Sequence, residues 1–431
     1  MSLASIPADL AEPVDQRPHY VRSVTEMGER QSIVAHEDIY ASNGMKLLAR
    51  GASVDRSYID LLCRHKLRAP LDLALSAENQ VDSTQLAFEA NKLLASDSVM
   101  ATLAERSGDP LGFRQCLGAL PLPAPIMFRL TVMREMRSAL FDHSLRIALI
   151  TYALAVRMNV PRRDLNDLLI AALCHDLGEM HTDPELLAPG HSITLQERRF
   201  IHVHPVTGYV LLCDVPSISN ATLQAVLQHH ERLDGSGYPA GLSGGRIHAF
   251  ARILCVAEVT EGLVRRGDPR RVDVLLRLNH QRFDTEVTHT LRELLLIGQP
   301  SPDIRPPALD PTAQLARFER LFADSPGLIE RLEGRPDGAQ ELAFVRERIA
   351  MLRALVHNSG MSPEYHDALV DVIREDPEVA SEFAATMDEL KWLMLDIANE
   401  IERRAALVAL VDDEAAGVAA ELLALLRGTG A

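Results

Sequence analysis

The sequence predicts a mainly α protein: an all-α helical bundle, preceded by a small α+β module and followed by a second helical domain. Three observations carry that expectation. From about 125 to 300 apolar residues recur at helical spacing, and Leu145 to Met158 is apolar nearly all round, as in a helix buried on every side. Between Ser32 and Ala49, short β-type runs flank Asn43-Gly44, a strong hairpin turn. Five prolines from Pro300 to Pro311 then set the bundle apart from a further helical stretch at 312–428.

Taken in order, residues 1–29 are polar and Pro-containing, a flexible lead-in. The α+β module spans 30–82 and includes a helical run from Asp55 to Arg68. A connecting helical region follows at 83–124, with one helix over 83–107 and a boundary at Pro110 and Pro121 to Pro125. The bundle occupies 125–299. Pro161 suits the first position of a helix whose inward face is Leu165, Leu168, Leu169, Ala172 and Leu173. Asp176 lies eleven residues past Leu165, about three turns on, so its carboxylate should point the same way, into an apolar interior. Thr194 and Glu197 read as a capping box for the helix leading to His202 and His204. Pro205 opens a helix over 206–213, and Asn220 caps the one that ends in His229 and His230. Ile247 to Val264 is an apolar helix interrupted inward by Glu258 and Glu261. After a linker at 300–311, the C-terminal domain (312–431) shows breaks at Ser325-Pro326, Pro336-Asp337-Gly338, Ser362-Pro363 and Asp376-Pro377, and a long helix from Ala380 to Val411. It holds no cluster of catalytic type and reads as an interaction or dimerisation bundle.

A net charge of −16 argues against nucleic-acid polymers and anionic membranes as partners. An anionic small molecule would need a local positive patch, yet lysine occurs only at 46, 66, 92 and 391. No apolar run reaches the ~18 residues of a membrane span. The N-terminal segment lacks the pattern of a signal peptide. Five scattered cysteines without a CxxC pair fit small core residues in a reducing cytoplasm, the expected location.

Three histidine islands organise the bundle: Ala171 to Gly178 around His175-Asp176, then His202 to Pro205, then His229 to Pro239. With His143 and Glu258 they supply His143, His175, Asp176, His204, His229, His230 and Glu258. Imidazole with carboxylate suits Fe, Mn, Zn or Ni rather than Ca or Mg. Seven side chains are too many for one ion with an open position, whereas two ions bridged by a central carboxylate use them naturally. Two such ions can share a hydroxide nucleophile and clamp a phosphoryl group, so metal-assisted phosphoester hydrolysis is the reaction class these residues imply. Four other histidines, His181, His191, His202 and His248, read as exposed or helix-end residues, and Cys174 as a buried helix thiol.

The runs His143-Ser144, Ala171 to Gly178, His204-Pro205 with Gly208, His229 to Pro239, Gly241 to Gly244, Arg252 to Ala257 and Phe283-Asp284 resemble the HD-GYP subgroup of the HD phosphohydrolases, cyclic di-GMP phosphodiesterases of bacterial signalling. The likeness covers about 135–290, and its most specific part is His-His-Glu followed by Asp-Gly-Ser-Gly-Tyr-Pro. It implies an all-α HD-type bundle around a metal site, usually iron or manganese. It implies Asp176 as the catalytic bridge, with His143, His175 and Glu258 completing one ion and His204, His229 and His230 the other. Gly235, Gly237, Tyr238 and Pro239 would line the substrate mouth, Arg266 and Arg270 would reach phosphates, and Glu231 and Asp234 would orient ligands or shape the loop. Against the family pattern, Glu179 stands where a lysine is usual, Glu258 and Glu261-Gly262 replace Asp and Asp-Ala, and Ala139 offers no carboxylate for a third ion. Three functions stay open: hydrolysis of cyclic di-GMP to pGpG or GMP by a metal-bridging hydroxide, a catalytically impaired signalling adaptor that binds metal or nucleotide, or an HD hydrolase acting on another nucleotide. A homodimer, or signalling partners held through the flanking domains, fits any of them.

Overall fold

The computed structural model describes residues 18–187, 195–265, 272, 274–276, 279–295, 310–333, 344–359, 361, 365–408 and 413–428. They form two compact units, one within Met1–Gly267 and Asn279–Ile297, the other within Asp268–Leu278 and Gly298–Ala431. The second begins earlier in the chain than the linker expected at 300–311, most of which lies outside the described residues.

In the first unit the expected lead-in contains a helix, α1 (Pro18–Met27). Tyr20, Val21, Val24 and Met27 share one buried face, which a short apolar spacing beside a long polar stretch concealed. The module then runs β1 (Ile33–Ala35), β2 (Ile39–Tyr40), β3 (Lys46–Leu48), α2 (Ile59–Arg64) and β4 (Leu75–Ala77). β2 pairs antiparallel with β3 around Asn43-Gly44, where Gly44 takes a φ of 85°. β1 pairs instead with β4, Ile33 opposite Ala77. Asp97 divides the connecting helix into α3 (Ser83–Ser96) and α4 (Ser98–Arg106), because its carboxylate accepts from Val99 N and Met100 N and caps the second. α5 (Gly112–Gly118) closes the region.

The bundle is built from α6 (Ala124–Met136), α7 (Ser138–Arg157), α8 (Arg162–Cys174), α9 (Leu195–His202), α10 (His204–Cys213), α11 (Asn220–Gln228), α12 (Ala249–Val264) and α13 (Thr285–Leu295). α7 is its axis: every residue from Ser144 to Ala155 is buried, and it packs on α4, α6, α8, α12 and α13. Contrary to expectation, α7 is long and apolar enough to cross a membrane; helices surround it here, and its apolarity serves the core. A buried ion pair between Asp72 and Arg129 of α6 ties the module to the bundle, and Arg129 Nη1 also donates to the Leu211 carbonyl at 2.7 Å.

Several helix ends differ from expectation by a residue or two. Pro161 is the cap of α8 rather than its first residue. Ser219, not Asn220, caps α11, its hydroxyl accepting from Thr222 N at 3.1 Å. The capping box at Thr194 lies outside the described residues.

The second unit comprises helices Pro311–Glu333, Phe344–Asn358, His366–Glu375, Pro377–Val408 and Asp413–Arg427 around Leu352, Met387, Leu390, Met394 and Leu422. The first runs straight through Ser325-Pro326. Leu315, Phe318, Leu321 and Leu328 are buried on both sides of that proline, and their burial outweighs one lost backbone hydrogen bond. The break at Asp376-Pro377 is present, and the long helix begins there, at Pro377 rather than Ala380. The other two expected breaks lie outside the described residues. Among the described residues of this unit there is no cluster with metal-ligand geometry.

Candidate metal centre

The seven side chains come from five helices and meet at one end of the bundle. His143 lies within α7 and Glu258 within α12. The others sit at helix termini: His175 and Asp176 just past α8, His204 opening α10, His229 and His230 just past α11. Asp176 is buried as expected, but the turn after α8, not helix register, aims it inward, since α8 ends at Cys174 and Asp176 has left the helix (φ −104°, ψ 13°).

Helix ends leave carbonyls without partners, and three imidazoles use them. Nδ1 of His175 lies 2.8 Å from Ala172 O, Nδ1 of His204 2.7 Å from Ile201 O, and Nδ1 of His229 2.7 Å from Val226 O. A carbonyl only accepts, so each Nδ1 carries the proton and each Nε2 turns inward as a potential ligand. Close backbone packing sets the spacing, because a Cβ at Gly178 would collide with the His204 carbonyl.

Two sets of ligand atoms result: His143, His175, Asp176 and Glu258, and Asp176, His204, His229 and His230, all atoms within 4.8 Å of one another in each set. Asp176 belongs to both. Its Oδ2 lies 3.1 Å from His175 Nε2 and 3.5 Å from His143 Nε2. Its Oδ1 lies 3.2 Å from His204 Nε2 and 3.5 Å from His229 Nε2. Glu258 Oε2 reaches His143 at 3.2 Å and His175 at 3.3 Å, so the longer glutamate still arrives.

The donor set fits metal ions. His204 Nε2 and His229 Nε2 face each other at 3.2 Å while both Nδ1 atoms hold protons, so the two lone pairs need either a second proton on His204, which, against the cost of burial, the Asp176 carboxylate favours, or a metal ion between them. His175 Nε2 and Asp176 Oδ1 are buried without a hydrogen bond. Burial alone would push the His175 imidazole down, but the Asp176 carboxylate, aided by Glu258, raises it to about 10. Against the same cost of burial, His175 holds Asp176, and His143 holds Glu258, well below the carboxylate range. Burial, then neighbouring imidazoles, push His230 well down, leaving it neutral.

Beyond the second set, the loop at Gly235 to Pro239 is fixed by its neighbours. The buried Glu231 carboxylate accepts from Ala240 N and Leu242 N, both at 2.8 Å, and Asp234 Oδ1 accepts from Ser236 N at 2.9 Å. Both residues shape the loop. Gly237 is required there, since a Cβ would strike the backbone of His230 to Arg232. The Tyr238 ring stacks on His230 with centroids 4.6 Å apart, and His202 stacks on Tyr238 at 4.1 Å, nearly parallel. His202 is thus part of the site's wall, where the sequence had placed an ordinary helix-end residue. His181 is buried, stacked on Tyr20 at 4.7 Å, and His248 caps α12. Arg266, Arg270 and His191 lie outside the described residues. Burial pushes the Cys174 thiol up to about 12, which removes it as a nucleophile, while Cys63 and Cys213 are exposed. Glu179 is also largely enclosed: burial and the charge of Asp176 raise it to about 7.

Comparison with known proteins agrees with this geometry. A family model for the HD domain matches residues 131–287. A cyclic di-GMP phosphodiesterase of Pseudomonas aeruginosa is 34% identical over 124 residues, covering 28% of this chain and 30% of its own. A 3'3'-cGAMP-specific phosphodiesterase of Vibrio cholerae is 30% identical over 183 residues, covering 41% and 42%. A cyclic di-GMP phosphodiesterase response regulator of Xanthomonas campestris is 34% identical over 160 residues, covering 31% and 41%. The chain therefore spans less than half the length of each of these relatives. Residues 131–287 match the HD domain family, and within them lie the runs that resemble the HD-GYP subgroup.

Proposed function

We propose that this chain is a metal-dependent phosphodiesterase acting on a cyclic dinucleotide, cyclic di-GMP first, with two divalent ions, iron or manganese, as cofactors. The observation that carries the reading is Asp176, whose two oxygens address two separate sets of imidazoles. Ions held by the two sets would supply water acidified to a nucleophile at neutral pH and a clamp on the phosphoryl oxygens. Asp176 spans the two sets and fixes their separation. The helix-end carbonyls hold three imidazoles in the ligating tautomer. Tyr238, packed between His202 and His230, walls the approach beside the second set. The substrate class follows the relatives, whose names include both cyclic di-GMP and 3'3'-cGAMP.

Glu179 favours a second reading. Raised to about 7 by burial and Asp176, Glu179 offers an anionic substrate no positive charge and repels it in the fraction that is ionised. A chain that binds metal and nucleotide but turns nothing over, acting as a signalling adaptor, fits that feature. Turnover of cyclic di-GMP and 3'3'-cGAMP by the manganese- or iron-loaded chain separates the two. The enzyme reading expects hydrolysis of at least one, reduced at least about 1,000-fold in Asp176→Ala. Intact substrates after prolonged incubation of a fully loaded chain would overturn turnover of these two nucleotides and favour the adaptor.

A further inference from the structure

Three imidazoles of the centre are oriented by carbonyls at their own helix ends, but His143 lies inside α7, where carbonyls already serve the helix. It needs an acceptor from elsewhere. Its Nδ1 lies 3.1 Å from Oε2 of Glu261, a buried residue of α12. Glu261 follows Glu258 by three residues, so one turn of α12 presents both carboxylates to the two ring nitrogens of the same imidazole. The facing turn of α7 repeats the spacing: Arg146 follows His143 by three, and its Nε donates to Glu261 Oε1 at 3.0 Å. Arg265 Nε adds a further contact at 3.1 Å. Arg146 is itself buried, and its Nη1 donates to Asp97 Oδ2 at 2.6 Å. The other oxygen of Asp97 caps α4.

We infer that Glu261 is a positioning residue, holding His143 with Nε2 toward the first ion, and that Arg146, anchored on Asp97, holds Glu261. The inference rests on reading the seven side chains as a two-ion site. A carboxylate acceptor makes an imidazole a stronger donor than a carbonyl does. The first set is therefore built differently from the second, whose orienting acceptors are the backbone carbonyls of Ile201 and Val226.

Manganese titration of the metal-free full-length chain under anaerobic conditions, with free Mn(II) read by electron paramagnetic resonance, tests it. Wild type should take up two ions. Glu261→Ala should weaken one uptake step about 10- to 100-fold. That step should be the one missing in His143→Ala, while the step missing in His230→Ala stays unchanged. The near-isosteric Glu261→Gln should weaken the same step about 3- to 10-fold, and it carries the test if the alanine variant does not fold. Arg146→Met should weaken that step too, by less than Glu261→Ala. Two unchanged steps in Glu261→Gln, or equal weakening of both, would overturn the inference alone. A wild-type chain that takes up no ion would overturn the two-ion reading, and the inference with it.

Discussion

At the scale of single residues, the centre is a set of protons held in place. His175, His204 and His229 spend Nδ1–H on helix-end carbonyls, and His175 is raised to about 10 by the carboxylates beside it. A pKa above the working pH means that metal-free His175 carries a second proton at pH 7. An incoming ion must displace it. Metal uptake at pH 7 should therefore release protons, and affinity should rise with pH, about tenfold per unit for each proton displaced, until pH passes that pKa. Calorimetric titration in buffers of differing ionisation enthalpy reads the proton count. Uptake without proton release would contradict a doubly protonated His175 in the metal-free chain. The seven residues were legible from type and spacing, because neighbouring histidines and acids in apolar helices have few other uses. Glu261 was visible only as an inward-facing acid. Its role depends on Arg146 and His143 arriving from another helix, and nothing local records that meeting. His202 was missed for the same reason, its partner Tyr238 being a loop residue 36 positions on.

At the scale of elements, helix ends do most of the placing. Most of the helices were legible from apolar periodicity, and the hairpin from Asn43-Gly44. Their ends were less so, because neighbouring residues compete for each cap: Ser219 and Asn220 are both good caps, and the tie is settled by which hydroxyl or amide reaches the free N–H. The pairing of β1 with β4 was hidden by the forty residues between them, which no local turn signal spans. The module's attachment to the bundle rests on a buried charge. Arg129→Met would leave Asp72 buried without its cation and the Leu211 carbonyl without its donor. The loss should be about 3–5 kcal/mol, read by denaturant unfolding of the metal-free chain. A loss below about 1 kcal/mol would mean that the pair is solvated and the attachment lies elsewhere.

At the scale of the whole molecule, the candidate metal centre falls in the first unit, and so does the family match apart from residues 268–278. The second unit has its own hydrophobic core and, among its described residues, no metal-ligand group. Its helical character was legible in the sequence, whereas Ser325-Pro326 was misleading, since a proline reads as a break only when burial on both sides does not override it. One carboxylate, Asp176, lies between two sets of ligand atoms. The most direct measurement is metal content, per chain, of anaerobically purified wild type and Asp176→Ala. Two ions in the first and none tightly held in the second is the predicted result. One ion in wild type, or two retained without Asp176, would contradict it.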